Sequence, residues 1–357
     1  MAERPKIAFY APMKAPDHPR PSGDREIARL TFRALDAAGF APFTASDLRS
    51  LDLEGDPDLQ LRLWSEAEAE STRLIDALRD DPPALWFTYH CHYKSPDLLG
   101  PTVADALDLA YVISEPSLSP KRRGGTWSSF ARLSEGAIAR ADRLFWVTER
   151  DRPALADAGY EAKMVQLAPF VDPGLAPPLR GAGEPLKLLT VAMMRPGDKA
   201  ESYRRLAAAI SRLSDDWRLT LIGHGPQQDQ IMSLFAEFGD RVTRISGVTD
   251  PSALRPHYEA ADLLVWPGVN EGIGMVWFEA MAAGLPVVAE NGPAARTIAP
   301  GAVLSAPDNP ADFAAAIEQA AVKRAALSRT ARAHVEHYHS IDRAAATLRT
   351  VLRGLIQ

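Results

Sequence analysis

The sequence predicts an α/β protein made of two parallel-sheet domains. Three observations carry that expectation. Short apolar β-like runs alternate with longer helical patterns along most of the chain, as crossover-connected parallel sheets require. The length of 357 residues suits two domains, each large enough for its own core. Finally, residues 171–187 pack four prolines and three glycines into 17 positions, which is linker chemistry.

In chain order, the first strand pattern is 6–12 (KIAFYAP), followed by a polar, Pro-rich loop. A helix is predicted from about Arg25 to Ala38, with Ile27, Leu30, Ala34 and Ala38 on one face and Gly39 at its end. Further strands are predicted at 84–90, 109–115, 143–148 and 164–170, with the acidic segment 56–80 as a helix between them. The domain boundary falls in the Pro/Gly stretch. A second strand series follows at 187–194, 218–225, 241–247, 263–268 and 286–292. Two helical stretches, about 310–335 and 341–357, close the chain. No internal repeat of 20–50 residues is evident.

Apolar content of 46% and charged content of 24% describe an ordinary globular protein. The net charge of −6 argues against nucleic acid as a partner. That charge is uneven: residues 47–81 hold eleven acids and four arginines, whereas 318–357 hold seven Lys/Arg and three acids. The basic C-terminal segment leaves peripheral contact with an anionic membrane open, beside the plainer reading of a solvated helix face. Cys91 is the single cysteine, so an internal disulfide is excluded and a reducing compartment is expected. The N-terminal apolar run is too short for a signal peptide, and no window approaches about 18 apolar residues. A cytoplasmic protein is expected, with the inner membrane face left open.

The most informative stretch runs from Pro267 to Ala289, PGVNEGIGMVWFEAMAAGLPVVA. A loop bearing Gly268, Gly272 and Gly274 feeds a helical run, where N–H groups and the helix dipole favour a phosphate. Glu271 lies in the loop, and Glu279 lies inside the helix among Val276, Trp277, Phe278 and Met281. Such a carboxylate is costly to bury without a hydrogen-bond donor, and a sugar or ribose hydroxyl is a natural one.

The spacing E-G-x-G-(x)4-E-A-M-A-x-G-x-P-V-V resembles the signature of retaining glycosyltransferases of family 4, the group 1 type, which have the GT-B fold. The resemblance implies two Rossmann-like domains facing a central cleft, with the C-terminal helix returning to the N-terminal domain. The expected organisation is then 1–172 with helix 341–357 as the acceptor-side domain, 173–186 as linker and 187–340 as the nucleotide-sugar domain. By matching positions, Glu271 would contact donor-sugar hydroxyls, Gly272, Ile273 and Gly274 would cover the diphosphate, and Glu279 would hold the ribose.

The resemblance extends to other segments. In VAMMRPGDKAESY (191–203), Arg195 and Lys199 correspond to the pair that grips the donor diphosphate, although the family's arginine usually sits nearer Met193. IGHGP (222–226) resembles a G-x-G-P element, placing Gly223 and His224 at the nucleotide, with a surface role equally open for His224. Gly247 and Val248 resemble the segment whose backbone reads the base. In the N-terminal domain, Pro21–Asp24 resembles the Gly loop near donor phosphate and acceptor, so Gly23 is assigned there. Asp24 and Ser22 are equally readable as a helix N-cap. His90, His92 and Lys94 stand at a strand end, and Glu115 falls where the family often has a histidine. Asp24, His90 and Glu115 are therefore the acceptor-side candidates. Lys121–Gly125 is readable as an acceptor-phosphate loop or as a solvated one.

The expected function is transfer of a sugar from a nucleoside-diphosphate sugar to a hydroxyl of a sugar, lipid or small-molecule acceptor, with retention. No cofactor is expected, and His-x-His without a third ligand is weak evidence for metal. A GT-B-fold epimerase or phosphorylase, or a non-catalytic sugar-nucleotide-binding protein, stays open.

Overall fold

The computed structural model describes residues 3–20, 22–175, 185–214, 216–248 and 251–356. Most of the expected linker 173–186, and Pro21 of the expected Gly loop, lie outside these residues. The chain forms two compact units, Met1–Pro169 with Ile341–Gln357, and Phe170–Ser340.

The first unit holds a six-stranded parallel sheet of β1 (Lys6–Tyr10), β2 (Ala41–Ser46), β3 (Leu85–Cys91), β4 (Ala110–Pro116), β5 (Arg143–Trp146) and β6 (Met164–Gln166). Its spatial order is β2-β1-β3-β4-β5-β6, so strand order reverses between β1 and β3. The helices are α1 (Gly23–Ala37), α2 (Pro57–Leu78), α3 (Gly100–Ala106), α4 (Ser128–Arg140) and α5 (Arg152–Asp157). Ser22 caps α1 by accepting from the Arg25 N–H, and Asp56 with Pro57 starts α2. On the core side of α1, Ala28, Leu30, Thr31, Ala34 and Leu35 are buried, while Ile27 is half-buried. The predicted helical face is therefore right in period but rotated toward Thr31 and Leu35.

The second unit repeats the plan with β7 (Leu186–Val191), β8 (Trp217–Ile222), β9 (Val242–Ile245), β10 (Leu263–Val265), β11 (Val287–Glu290) and β12 (Ala302–Ser305). They run parallel in the order β12-β11-β10-β7-β8-β9, so the reversal falls between β7 and β10. Its helices are α6 (Asp198–Ile210), α7 (Gln228–Ser233), α8 (Pro251–Ala260), α9 (Met275–Ala282) and α10 (Pro310–Tyr338). Leu188 faces Leu263 and Leu219 in register, which centres β7 in the core. Helix α9 buries Trp277, Phe278, Ala280, Met281 and Ala282, so it is apolar nearly all round.

The chain enters and leaves the second unit side by side, since the Val171 N–H donates to the His339 carbonyl at 2.8 Å. Helix α11 (Ile341–Arg353) then packs on α1 of the first unit, as a C-terminal helix returning to the N-terminal domain should. It buries Ala344, Ala345, Leu348 and Leu352. Arg349 donates to the carbonyls of Ala38 (2.9 Å) and Ala37 (3.0 Å), satisfying the open C-terminal end of α1. Arg332 similarly bonds the carbonyls of Pro173 and Gly174 and pairs with Glu336. Part of the basic C-terminal charge is thus spent inside the fold. No helix among the described residues is long and apolar enough to cross a membrane.

Candidate functional site

In an open parallel sheet, the loops leaving adjacent strands at the order reversal splay apart and leave a crevice beyond the strand ends. In the second unit those loops follow β7 and β10, and they carry the residues singled out in the sequence. Lys199, in the first turn of α6, forms an ion pair through Nζ with Glu271 Oε1 of the β10 loop. The same oxygen accepts the indole N–H of Trp266 at 2.9 Å. Two further bonds tie α6 to this loop. The Val269 N–H donates to Ser202 Oγ at 3.0 Å, and Asn270 Nδ2 donates to Asp198 Oδ1 at 3.0 Å.

The loop's glycines are not equivalent. Gly268 and Gly274 have φ of 72° and 73°, and a β-carbon at either would fall 2.2 Å from the Trp277 ring. These two glycines let the loop lie directly on the first turn of α9. Gly272 meets nothing within 4 Å, and Ile273 packs on the core of the unit. The N–H groups of Gly272, Ile273 and Gly274 meet no acceptor among the described residues. They remain a row of donors ahead of the helix.

Arg195, at the turn between β7 and α6, is exposed, and its side chain forms no hydrogen bond or ion pair among the described residues. It is four residues from Lys199, but the ammonium alone reaches Glu271. Met194 is buried, and Met193 is half-buried.

The G-x-G-P element has a packing role that the sequence did not disclose. A β-carbon on Gly223 would stand 2.0 Å from the Ala192 carbonyl oxygen, and one on Gly225 would stand 2.2 Å from that of Met194. The Met194 N–H donates to the His224 carbonyl at 2.9 Å, closing the two strand-end loops against each other. The His224 side chain itself is exposed. Gly247 has φ of 82° and open space around it, and Val248 packs partly on the core.

Glu279 is half-buried on α9, and its Oε2 accepts from the Tyr258 hydroxyl at 2.7 Å. Tyr258 is itself buried. Its hydroxyl is held well above the usual phenol range by burial, reinforced by the charge of Glu279. The donor expected for Glu279 is therefore supplied in part by the fold.

In the first unit, Asp24, His90 and Glu115 converge. His90 Nδ1 lies 2.8 Å from Asp24 Oδ1. His90 and Glu115, at the ends of neighbouring strands β3 and β4, both have positive φ, 63° and 56°. Non-glycine residues rarely adopt this conformation, and it concentrates at functional sites. Burial by itself would lower the His90 value, but Glu115, the bond to Asp24 and the charge of Asp151 raise it to about 9. Glu115 is pushed up from the usual carboxyl range by burial, with His90 opposing. Tyr89 is fully buried beside His90 in β3, and burial, with the charges of Glu115 and Asp24, holds its hydroxyl well above the usual phenol range. Asp24 Oδ2 and Glu115 Oε2 are buried with no hydrogen-bond partner among the described residues.

His92, whose ring centroid is 4.6 Å from that of His90, accepts the Lys94 N–H at Nδ1. Burial, the neighbouring His90 and Lys94 lower its value to about 3. Ser22 is the N-cap, whereas Asp24 belongs to the His90 cluster. A β-carbon on Gly23 would meet nothing within 4 Å. Of the Lys121–Gly125 segment, Arg123 pairs with Glu135 at 2.9 Å and Arg122 stands 5.3 Å over the Tyr93 ring. No group of three metal-binding side chains occurs among the described residues.

Trp266, Tyr258, Tyr89 and Asp151 were not singled out from the sequence. Each is an aromatic or short acidic residue at or just past a strand or helix end. The available signal was a polar-tipped aromatic (Trp266, Tyr258) next to a motif acid.

Residues 185–322 match the family model described as "Glycosyl transferases group 1". A D-inositol 3-phosphate glycosyltransferase of Saccharomonospora viridis is 28% identical over 72% of this chain and 67% of that protein. For other curated relatives the chain spans as little as 19% and up to 53% of their length. Among solved structures, sucrose-phosphate synthase of Thermosynechococcus elongatus aligns over 99% of both chains, with TM-score 0.72 and 21% identity. Anabaena Alr3699/HepE, solved in complex with UDP-glucose, aligns over 99% of this chain and 100% of its own, with TM-score 0.71 and 15% identity. These structures share the two-sheet GT-B fold. The family match and the relatives make residues 185–322 similar to group 1 glycosyltransferases, and both units share the GT-B fold of the solved structures.

Proposed function

We propose that this chain is a glycosyltransferase that takes its sugar from a nucleoside-diphosphate sugar held by the second unit and passes it, with retention, to a hydroxyl acceptor. The observation that carries the reading is the meeting of Lys199 and Glu271 at the strand-order reversal. This puts a cation and a carboxylate where a phosphate and a sugar hydroxyl need them. Lys199, Arg195 and the open N–H groups of Gly272–Gly274 offset the charge on the departing diphosphate. Glu271 binds a hydroxyl of the donor sugar, and Glu279 binds the ribose. Gly223 shapes the adjoining loop, His224 borders the nucleotide, and Gly247 and Val248 line the base. The relatives' nucleotide ligands support this reading, since Alr3699/HepE is solved with UDP-glucose.

The reading assigns the acceptor to the first unit. Asp24 and Glu115 each present a buried carboxylate oxygen without a donor among the described residues, and an acceptor hydroxyl supplies one. Gly23 opens the helix on which Asp24 stands. The acceptor class is a hydroxyl compound, since a sugar, a lipid-linked sugar and a small polyol all offer that hydroxyl. Cationic side chains and backbone amides neutralise the leaving group here, so the reaction is proposed to run without a divalent ion.

The test is release of nucleoside diphosphate from UDP-, GDP- and ADP-sugars, with and without a panel of hydroxyl acceptors, in the presence of EDTA. Acceptor-dependent release supports the reading, and the anomeric signal of the product by NMR reports retention. Absence of release from every donor contradicts it.

A further inference from the structure

Glu271 receives two donors on one oxygen. Trp266 and Lys199 both reach Oε1, and no bond among the described residues reaches Oε2. The two donors differ in freedom. Trp266 is fully buried, and Tyr203 packs edge-on to it at a centroid distance of 5.0 Å. The Tyr203 hydroxyl is in turn fixed to the Ala192 carbonyl at 2.7 Å. Lys199 is 34% exposed on a flexible stem, with Nζ 5.3 Å over the Trp266 ring. An ammonium is a mobile point charge, and a diphosphate competes for it directly. The indole cannot turn away without repacking the core.

We propose that Trp266 is a positioning residue: its indole N–H keeps Glu271 aimed, with Oε2 open to a hydroxyl of the donor sugar, when Lys199 turns to the diphosphate. The inference rests on the donor-site reading above. It divides the site's work in a measurable way. The nucleoside diphosphate alone uses Lys199 and the loop, whereas the nucleotide sugar also needs Glu271 held in place.

The experiment is calorimetric titration of the parent and Trp266→Phe with UDP and UDP-glucose, and with GDP and GDP-mannose. The ring is retained in this variant and only the N–H is lost. The expected result is a nucleoside-diphosphate Kd within about twofold of the parent, and a nucleotide-sugar Kd weakened roughly tenfold, as loss of one hydrogen bond to a charged group gives. In a Glu271→Gln background, the same change should add little further loss. Equal weakening of both ligands, as a merely structural role gives, overturns the proposal, and so does no change in either. A parent that binds none of the four ligands, nor ADP or an ADP-sugar, overturns the donor-site reading instead, and this inference falls with it.

Should Trp266→Phe not fold, the indole N–H spectrum of the parent decides. Among the signals of the seven tryptophans, the one displaced in Glu271→Gln marks Trp266. That signal should stay at its hydrogen-bonded position when the nucleotide sugar binds. Its upfield movement on binding would mean that the bond breaks, against the proposal.

Discussion

Gly274 lies against the indole of Trp277 so closely that a β-carbon would stand 2.2 Å from Cε3. The contact seats the loop on the first turn of α9, and Gly268 repeats it at the same ring, where a β-carbon would stand 2.2 Å from Cζ2. Neither glycine has room for a side chain, and both have left-handed backbones. Gly274→Ala and Gly268→Ala should each lower unfolding free energy by about 2–4 kcal/mol, from overpacking plus the cost of φ > 0. Gly272→Ala, with open space around it, should stay within about 0.5 kcal/mol. Urea unfolding of the three variants checks this, and equal losses in all three would contradict the packing account.

The Arg195 side chain has no hydrogen-bond or ion-pair partner among the described residues. Arg195→Ala should therefore unfold like the parent, yet bind nucleoside diphosphate more weakly by about 1.5–3 kcal/mol, roughly 10- to 150-fold. Arg195→Lys should recover only part of this, because a point charge cannot reproduce a bidentate fork. Calorimetry reads the difference, and unchanged affinity in Arg195→Ala would place the diphosphate clamp elsewhere.

Glu279 is held by the Tyr258 hydroxyl at 2.7 Å. Glu279→Gln should weaken nucleotide binding by about 1.5–3 kcal/mol if the carboxylate accepts from ribose. Tyr258→Phe should weaken it less, since the carboxylate remains and only its orientation is loosened. Equal losses from the two variants in a nucleotide titration would mean that Glu279 serves only the fold.

The paired histidines of the first unit have opposite pH signatures. His90 titrates at about 9, so the folded state binds its proton more tightly than the unfolded chain does. That stabilisation is complete below the ordinary value of 6.5 and is lost as pH rises through 9. His92 is held neutral down to about 3, so its contribution is lost as pH falls below 6.5 toward 3. NMR titration of the ring protons should place the two midpoints on opposite sides of 6.5. Asp24→Asn should lower the His90 midpoint, and a midpoint unmoved by that change would remove Asp24 from the cluster.

The parts legible in the sequence were those with a strong period or a spaced motif. The central strands and the helices α1, α2, α10 and α11 announced themselves, as did the loop from Gly268 to Gly274. The edge strands β2 and β12 were not seen. Residues Ala41–Thr44 and Ala302–Leu304 are only half-buried, and Pro42 is tolerated at a sheet edge, so neither run reads as a clean apolar strand. Glu271, Lys199 and Glu279 were legible because motif spacing fixes them. Their partners were not, because Trp266 and Tyr258 reach them only through the packing of β10, α8 and α9. Gly223 was expected at the nucleotide, and the close approach of two loops, which also requires Gly225 to be glycine, was not legible in the motif.

The central claim is that the second unit holds a nucleoside diphosphate through Lys199. A thermal-shift panel of UDP, GDP and ADP against the parent and Lys199→Ala tests it most directly. At 100 times its dissociation constant, a ligand specific for the folded state adds about 2.7 kcal/mol. The account predicts that at least one of the three nucleotides raises the parent's Tm, and that the rise shrinks sharply in Lys199→Ala at the same concentration. A parent unmoved by all three nucleotides, or a variant that responds as fully as the parent, would contradict it.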